Sequence, residues 1–207
     1  KAKVKIIKPC ERTKKLEEVC RRLWKNNFDD STEYISFYFS DRWKESTTII
    51  YGEESMLHLN PYELAVNGSR KDVNYIVAVA TKKEYRSRGY MRALLNTVLE
   101  RMHSEKVPFT FLMPAAEAIY RPYDFRYIYD QCMQEVKKDE TADDRNRESE
   151  PQKEGTLEFS DAGLWDAEEM ADFFEEHFSD SWQVYAQRDT AYYQTMILEQ
   201  QSEKGGV

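Results

Sequence analysis

The sequence predicts an α/β domain in which a mixed, mostly antiparallel sheet is flanked by helices. Short β-rich runs alternate with helical patterns along the chain, and an Asn-Gly pair joins two of these runs. The apolar run "VNYIVAVAT" then leads directly into the clearest helical pattern in the sequence. An Asn-Gly pair between β-rich runs indicates a hairpin, and strands that alternate with helices indicate layered α/β packing.

The first elements follow in the order strand, helix, helix. The stretch "KVKIIKP" alternates in polarity and predicts a strand that ends at Pro9. Residues 11–28 place apolar side chains at helical spacing along one stripe, which predicts an amphipathic helix. The stripe consists of Leu16, Val19, Cys20, Leu23 and Trp24. The stretch "DDSTEYISFYFSDRW" predicts a second helix with Asp30 or Ser31 as its N-cap.

Three strands are predicted next, around the hairpin. "TTIIYGEE" predicts a strand that turns at Gly52, and "HLNPYELAV" predicts a strand bent at Pro61. After the Asn-Gly turn, "VNYIVAVAT" is almost entirely apolar. Such a run is typical of a central strand that is buried on both faces.

A helix and the last elements of the first unit follow this strand. Apolar residues recur at helical spacing at Met91, Leu94, Leu95, Val98, Leu99 and Met102. "PFTFLMP" predicts another buried strand, and "AAEAIYRPYDF" predicts a short helix broken near Pro122. "RYIYDQCMQEV" predicts a closing strand.

The composition changes sharply after this strand. Residues 137–155 are rich in charge and almost free of apolar side chains, which indicates a linker or an exposed loop. "TLEFSDAGLWDAEEMADFFEEHF" then restarts the strand-then-helix order with which the chain began. We therefore expect a first domain at 1–136, a linker at 137–155 and the front part of a second, incomplete unit at 156–207.

Composition and charge exclude several function classes. The 207 residues carry a net charge of -8, which argues against general nucleic-acid binding. No apolar run approaches the ~18 residues of a membrane span, and "KAKVKIIKP" does not resemble a secretory signal. Three dispersed cysteines fit neither a disulfide framework nor a zinc site, so we expect a reducing, cytoplasmic protein. The three histidines are isolated, and no metal site is expected.

A basic turn stands out on this acidic chain. Between the central strand and the next helix, one short stretch collects five cations, namely Lys82, Lys83, Arg86, Arg88 and Arg92. A helix N-terminus presents unpaired N–H groups and attracts anions, and Gly89 allows close approach to the backbone. The pattern therefore predicts a phosphate-binding turn. The alternative interpretation is a solvated charged face, which is common for isolated charge runs.

The turn has the form Arg86-x-x-Gly89-x-Met91, and in this it resembles the GNAT family of acetyl-CoA-dependent N-acetyltransferases. The family motif is [Gln/Arg]-x-x-Gly-x-[Gly/Ala], so Met91 replaces a smaller residue. "VAVATKKEYRSRGYMRALL" followed by "FLMPAAEAIYRPYDF" is similar to the Eis (enhanced intracellular survival) branch of the family. That resemblance implies the GNAT fold, a second degenerate GNAT unit beginning near Thr156, and a longer parent protein.

The resemblance implies that acetyl-CoA is the cosubstrate and indicates which residues would bind it. The pantetheine arm would pair with the main chain of the central strand, and the pyrophosphate would lie on the turn. Ala116 matches a small residue that precedes the family's catalytic tyrosine, whereas Met113 stands where many members carry an asparagine. The assigned residues are Val77, Ala78, Val79, Arg86, Ser87, Arg88, Gly89, Tyr90, Met91 and Ala116.

Tyr120 is the predicted catalytic residue. It lies five residues before Phe125 in "YRPYDF", where the family places its general-acid tyrosine. A phenol with a reference pKa of about 10 is protonated at neutral pH and can protonate a departing thiolate. Two other interpretations stay open: Tyr120 packs the helix against the sheet, or Tyr123 takes the role instead.

The resemblance also implies an amine acceptor, such as an aminoglycoside, a polyamine or a lysine side chain, and a homo-oligomeric assembly. It places the base at the carboxyl terminus of the longer protein. Within this sequence, Asp29, Asp30 and Glu33 are acidic candidates that would attract an amine, or else they flank a helix. Aromatic candidates for an acceptor pocket, or for the core, are Trp24, Phe28 and Trp43. The alternative function is a non-catalytic CoA-binding module that acts through binding or assembly.

Overall fold

The computed structural model describes residues 3–128 and 160–207, and the strands within them form one sheet. The strands are β1 (Val4–Ile7), β2 (Thr47–Tyr51), β3 (Ser55–Val66), β4 (Ser69–Thr81), β5 (Thr110–Phe111) and β6 (Val184–Ala186). The helices are α1 (Lys14–Lys25), α2 (Thr32–Ser40), α3 (Tyr90–Ser104), α4 (Glu117–Tyr120), α5 (Ala167–His177) and α6 (Thr190–Ser202). This alternation gives the predicted α/β fold, with a mixed sheet between helices.

The sheet is antiparallel except at β5. Its order is β1-β2-β3-β4-β5, and β5 runs parallel to β4. β4 pairs with β3 along nearly the whole length of both strands. β2 pairs with residues 55–59 of β3 and β6 pairs with residues 64–66. Because β4 occupies one edge of β3, β2 and β6 share the other edge.

Local sequence signals account for the early elements. The predicted hairpin joins β3 and β4, and both Asn67 and Gly68 adopt positive φ, at 48° and 73°. Positive φ at both central residues is the requirement of a type I′ turn, which confirms the hairpin. The Thr13 and Ser31 side chains accept hydrogen bonds from the first turns of α1 and α2, so Ser31, rather than Asp30, is the N-cap.

The two faces of the sheet carry separate apolar cores. α1 and α2 cover one face, where Trp24, Tyr38 and Trp43 pack against Met56 and Ala80. α3 and α4 cover the other face, where Leu94, Leu95 and Val98 pack against Leu57 and Ile76. The predicted apolar positions of α1 are all buried, and four of the six predicted in α3 are buried, with Met91 and Leu99 half-buried. Both helical stripes are thus confirmed.

The central strand differs from its prediction in two ways. β4 is not buried on both faces throughout, because Val77 and Val79 are only half-buried. In addition, the pairing of β3 with β4 shifts by one residue, because Met56 is opposite Ala80 but His58 is opposite Val77. Ala78 and Val79 of β4 therefore both face Leu57. This extra residue makes a β-bulge, which bends a strand. The irregularity in the β3–β4 pair lies there rather than at Pro61, which pairs in register with Asn74.

β5 is also shorter than predicted. Prolines at 108 and 114 bracket the stretch, and only Thr110 and Phe111 pair with β4. Both are half-buried, so the prediction of a fully buried strand is wrong here. The predicted closing strand and the linker at 137–155 lie largely outside the described residues.

Residues 160–207 contain two elements that the sequence analysis did not identify. The helix predicted within "TLEFSDAGLWDAEEMADFFEEHF" is present as α5, but β6 and α6 follow it. The predicted strand at 156–159 lies outside the described residues. A third apolar cluster, which includes Ala167, Phe174 and Ile197, joins α5 to α6. β6 pairs with β3 and α6 packs against α2, so this segment contacts the first unit directly.

Candidate active site

The predicted phosphate turn connects β4 to α3. Gly89 is the N-cap of α3 at φ 84° and ψ 6°, and Ser87 also has positive φ, at 60°. An added Cβ on Gly89 would meet nothing within 4 Å, so glycine is required here by backbone conformation rather than by crowding. Residues 86–89 are exposed, and Tyr90 and Met91 are half-buried at the start of the helix.

The N-terminus of α3 is open. Thr13, Ser31 and Asp189 cap α1, α2 and α6 through their side chains. Among the residues that the structure describes, no side chain caps α3. The N–H groups of its first turn therefore lack intrahelical partners and carry the positive end of the helix dipole. Such a terminus is suited to bind an anion.

Cationic side chains are arranged around this open end. Arg86 donates from Nη2 to the Asn27 side chain at 2.8 Å, which ties the turn to the end of α1. The Arg88 guanidinium lies 5.4 Å from the centre of the Tyr85 ring. An open cleft of about 360 Å³ lies between α1 and the turn, and is lined by Arg22, Asn26, Lys82, Lys83 and Glu84. Three of the five lining residues are cationic, so the cleft is suited to a second anionic group.

The edge of β4 that precedes the turn is distorted and open. Ala78 lies in the bulge with φ at 53°, a conformation that costs energy for any residue except glycine. Strained backbone of this kind is often found at functional sites. In the part of the chain that the structure describes, β5 pairs with β4 only at Asn74 and Tyr75. The main chain of Val77, Ala78 and Val79 therefore has no β5 partner there.

Tyr120 ends α4 on the face of the sheet that α3 covers. Its side chain is 8% exposed and packs in the same cluster as Ile76 and Leu94. The ring of Phe125 meets it edge-on at 6.0 Å between centroids. Burial raises the pKa of the Tyr120 phenol above its ordinary value, so the group stays protonated at neutral pH. A buried, protonated phenol in this cluster fits both interpretations of Tyr120, a general acid and a residue that packs the helix against the sheet.

A second cleft lies between α3 and α4. It measures about 480 Å³ and is lined by Arg92, Asn96, Ile119, Pro122 and Tyr123. Tyr123 thus faces the cleft, whereas Ala116 is the exposed N-cap of α4 and Met113 is 72% exposed. Asn96 was not among the predicted residues, and Arg92 was noted only as a charge. The signal available in the sequence was their i, i+4 spacing, which places both on one face of a helix.

The acidic and aromatic candidates on the opposite face are mostly structural. Asp30 accepts a hydrogen bond from Trp24 Nε1 at 2.6 Å, while Asp29 and Glu33 are exposed. Trp24 and Trp43 are buried in the core at 2% and 4% exposure. They therefore belong to the apolar core, which was the alternative to an acceptor pocket.

His58 is a buried titratable group that no sequence pattern singled out. It is fully buried on β3 opposite Val77, and its Nδ1 lies 3.1 Å from Thr48 Oγ1. Its Nε2 has no hydrogen-bond partner among the described residues. Burial, followed by the charge of Arg12, lowers the pKa of His58 to about 3, so the imidazole is neutral at neutral pH.

Two absences hold for residues 3–128 and 160–207. No group of three or more His, Cys, Asp or Glu side chains is arranged to hold a metal ion there. Over the same two ranges, no helix combines the length and apolar character needed to cross a membrane.

A sequence profile of the acetyltransferase (GNAT) domain matches residues 11–128, which is more than half of the chain. No curated protein gives a significant match to the sequence. The matched region includes every predicted site residue from Val77 to Tyr120.

Three solved structures illustrate the structural similarity. A probable N-acyltransferase from Enterococcus faecalis V583 is 22% identical, with a TM-score of 0.47 over 58% of this chain and 31% of that chain. A GCN5-related N-acetyltransferase from Anabaena variabilis is also 22% identical, with a TM-score of 0.49 over the same shares. A GNAT family acetyltransferase from Brucella melitensis in complex with acetyl-CoA is 12% identical, with a TM-score of 0.47 over 61% and 85%.

The first two of these proteins are much longer than the present chain, which spans 31% of the length of each. Similarities at this level do not assign any residue of the site.

Proposed function

Because the chain belongs to the GNAT acetyltransferase family, we propose that it transfers an acetyl group from acetyl-CoA to a primary amine. The observation that carries the proposal is that the edge of β4 which β5 leaves unpaired leads into the uncapped N-terminus of α3. This path offers unpaired main chain to an extended arm and N–H groups to phosphates. Both are groups that acetyl-CoA contains, and the residues present therefore fit it.

The phosphate turn would hold the pyrophosphate. The first-turn N–H groups of α3 and the guanidinium groups of Arg86 and Arg88 supply charge-assisted hydrogen bonds. The cationic cleft lined by Lys82 and Lys83 lies beside the same turn. The main chain of Val77, Ala78 and Val79 would pair with the pantetheine arm, which takes the place of a strand partner.

Bound acetyl-CoA supplies an acetyl thioester at this edge. In the proposed reaction, the nitrogen of a neutral amine attacks the thioester carbon, a C–N bond forms and the C–S bond breaks. Tyr120 would protonate the departing thiolate through its phenol. The attacking nitrogen loses one proton to solvent, and the phenolate takes one proton back from solvent. The products are the N-acetylated amine and CoA. Alignment of the two reactants on a rigid sheet supplies much of the acceleration.

A non-catalytic CoA-binding module is the second candidate. It is favoured by Met113, which is exposed where many family members place an asparagine that contacts pantetheine. Loss of that contact leaves the thioester less firmly held. The open α3 terminus serves binding in either case, so cofactor affinity alone does not separate the two functions.

A thiol-release assay separates them. The full chain is supplied with acetyl-CoA and, in turn, with arylalkylamines, polyamines, aminoglycosides and lysine peptides, and free CoA thiol is measured against an amine-free control. The proposal predicts amine-dependent release with at least one class. Tight acetyl-CoA binding without release for any amine would support the binding module instead.

A further inference from the structure

Three aromatic side chains lie side by side on three neighbouring strands. Tyr62 on β3, Tyr75 on β4 and Phe111 on β5 are each half-buried. The Tyr75 and Phe111 rings are stacked at 5.1 Å between centroids. Tyr62 meets them edge-on, at 5.9 Å from Tyr75 and 5.4 Å from Phe111. We call these three residues the aromatic floor.

The aromatic floor adjoins the open edge of β4. Tyr75 and Phe111 form the last pair between β4 and β5 before the two strands cease to pair. The adjacent residue Ile76 packs on the α3 side. Because successive side chains of a strand alternate, Tyr75 points to the other face. The floor therefore lies across the sheet from α3, beside the main chain that would hold the thioester.

The surroundings of Tyr75 keep its phenol uncharged. Burial is the main cause that raises the pKa of the Tyr75 phenol to about 12, and Tyr62 contributes next. A hydrogen bond with the main chain of Met113 has the opposite effect and lowers the pKa. The Tyr75 phenol is therefore uncharged at neutral pH.

The second segment continues the sheet beside the strand that carries Tyr62. β6 extends the sheet beside β3, where the Gln187 N–H donates to the Glu63 carbonyl at 3.0 Å. α6 then places Glu199 3.3 Å from Arg42 Nη2 and 3.4 Å from Tyr34 Oη. The Arg42 and Glu199 side chains are 26% and 29% exposed. As an ion pair they add no net charge to this side of the molecule.

We propose that the aromatic floor binds the body of the acceptor, and that this acceptor is a primary amine on an apolar or planar group rather than a polycation. Flat aromatic surface favours apolar groups and single cations. A polycation would need several carboxylates, whereas Glu199 is already engaged by Arg42. The inference rests on the proposed function, because it places the acceptor beside the thioester.

The test is equilibrium binding of two probes, 2-phenylethylamine and spermidine, to the full chain saturated with CoA, measured by calorimetry. 2-Phenylethylamine is expected to bind about tenfold more tightly than spermidine, and Phe111→Leu is expected to weaken it about tenfold. Tyr75→Phe, which retains the ring, is expected to preserve most of the affinity. Tighter binding of spermidine, or unchanged binding of 2-phenylethylamine to Phe111→Leu, would overturn the inference.

Phe173→Leu is the control, because it makes the same change at an exposed ring on α5 that contacts His177 and Phe178 rather than the floor. CoA affinity of every variant reports whether the fold is intact. The readout does not require turnover. If the amine binds as described but no acetyl group is transferred, the proposed function fails, and the floor stands as an amine-binding site without a role in transfer. If transfer proceeds while the floor variants bind the probe normally, the inference fails and the proposed function stands.

Discussion

At the scale of single residues, Tyr120 gives the most specific expectation. Tyr120→Phe removes only the hydroxyl and keeps a ring that is 8% exposed. Loss of a general acid should lower kcat by about 100-fold or more, while the Kd for acetyl-CoA stays the same. Steady-state kinetics and calorimetry measure the two quantities. Tyr123→Phe, on the neighbouring cleft, is the control and should retain activity.

Equal losses of turnover and cofactor affinity in Tyr120→Phe would show that the residue is structural. A large loss of turnover in Tyr123→Phe alone would transfer the role to Tyr123.

His58 gives an expectation about pH. Its pKa is lowered to about 3 in the folded protein, chiefly by burial, from an ordinary value of 6.5. Between these values the unfolded chain binds a proton that the folded chain does not. Above pH 6.5 neither state binds this proton, and His58 does not lower the free energy of unfolding. As the pH falls from 6.5 towards 3, protonation of the unfolded chain lowers the free energy of unfolding by up to about 1.4 kcal/mol per pH unit.

The measurement is denaturant unfolding of the parent chain and of His58→Gln across this acidic range. The variant is expected to be less stable at neutral pH but to show a shallower dependence on pH. His103→Gln, at an exposed position, is the control. Identical pH slopes for the parent chain and His58→Gln would contradict the account.

At the scale of elements, the turn before α3 is tested by Gly89→Ala. The new Cβ meets no atom, but φ at 84° strains any other residue by roughly 1–2 kcal/mol. Relief of this strain would shift the N–H groups of the first turn. We therefore expect lower stability together with weaker acetyl-CoA binding, measured by thermal unfolding and calorimetry.

Gly68→Ala is the control for Gly89→Ala, because Gly68 in the hairpin also has positive φ, at 73°, and equally open surroundings. It should cost similar stability and leave acetyl-CoA affinity unchanged. If both variants weakened the cofactor equally, the special role of the turn would be lost.

The elements that the sequence predicted well are those specified by local interactions. The α1 stripe, the Ser31 cap, the Asn-Gly hairpin and the strand–turn–helix around Gly89 each depend on neighbours in sequence. The family motif added Tyr120, whose side chain lies in the apolar cluster beneath α3. The catalytic role itself stays a prediction.

The features that escaped prediction depend on distant pairing. The bulge at Ala78 reflects a one-residue shift in the register between β3 and β4. The length of β5 is set by its pairing with β4, which ends at Tyr75. β6 is three residues long and is stabilised by a strand more than 100 positions earlier. The aromatic floor combines three strands, so no local window of sequence contains it.

At the scale of the whole molecule, residues 160–207 are expected to stabilise the edge of the first unit. Ile197 is 1% exposed in the α5–α6 cluster, and Ile197→Ala should cost roughly 2–5 kcal/mol. The amides of Asn67 and Gln187, which bond between β3 and the β6 region, should then exchange faster. Hydrogen exchange of these amides measures the effect.

The Lys82 amide, which donates to Glu54 at 2.8 Å within the first unit, serves as the internal reference and should be unaffected. Unchanged exchange at Asn67 and Gln187 would mean that β6 contributes no stability to the sheet edge. Three further expectations stay predictions: the domain boundary at 137–155, the homo-oligomeric assembly and the cytoplasmic location. Light scattering of the full protein tests the assembly.

The central claim is that an acetyl group passes from acetyl-CoA to an amine on this chain. The most direct measurement is mass spectrometry of the amine after incubation with isotopically labelled acetyl-CoA and either the parent chain or Tyr120→Phe. The account predicts a labelled N-acetyl product that forms rapidly with the parent chain and far more slowly with the variant. Absence of label above the enzyme-free background for every amine class, in a chain shown to bind acetyl-CoA, would contradict it.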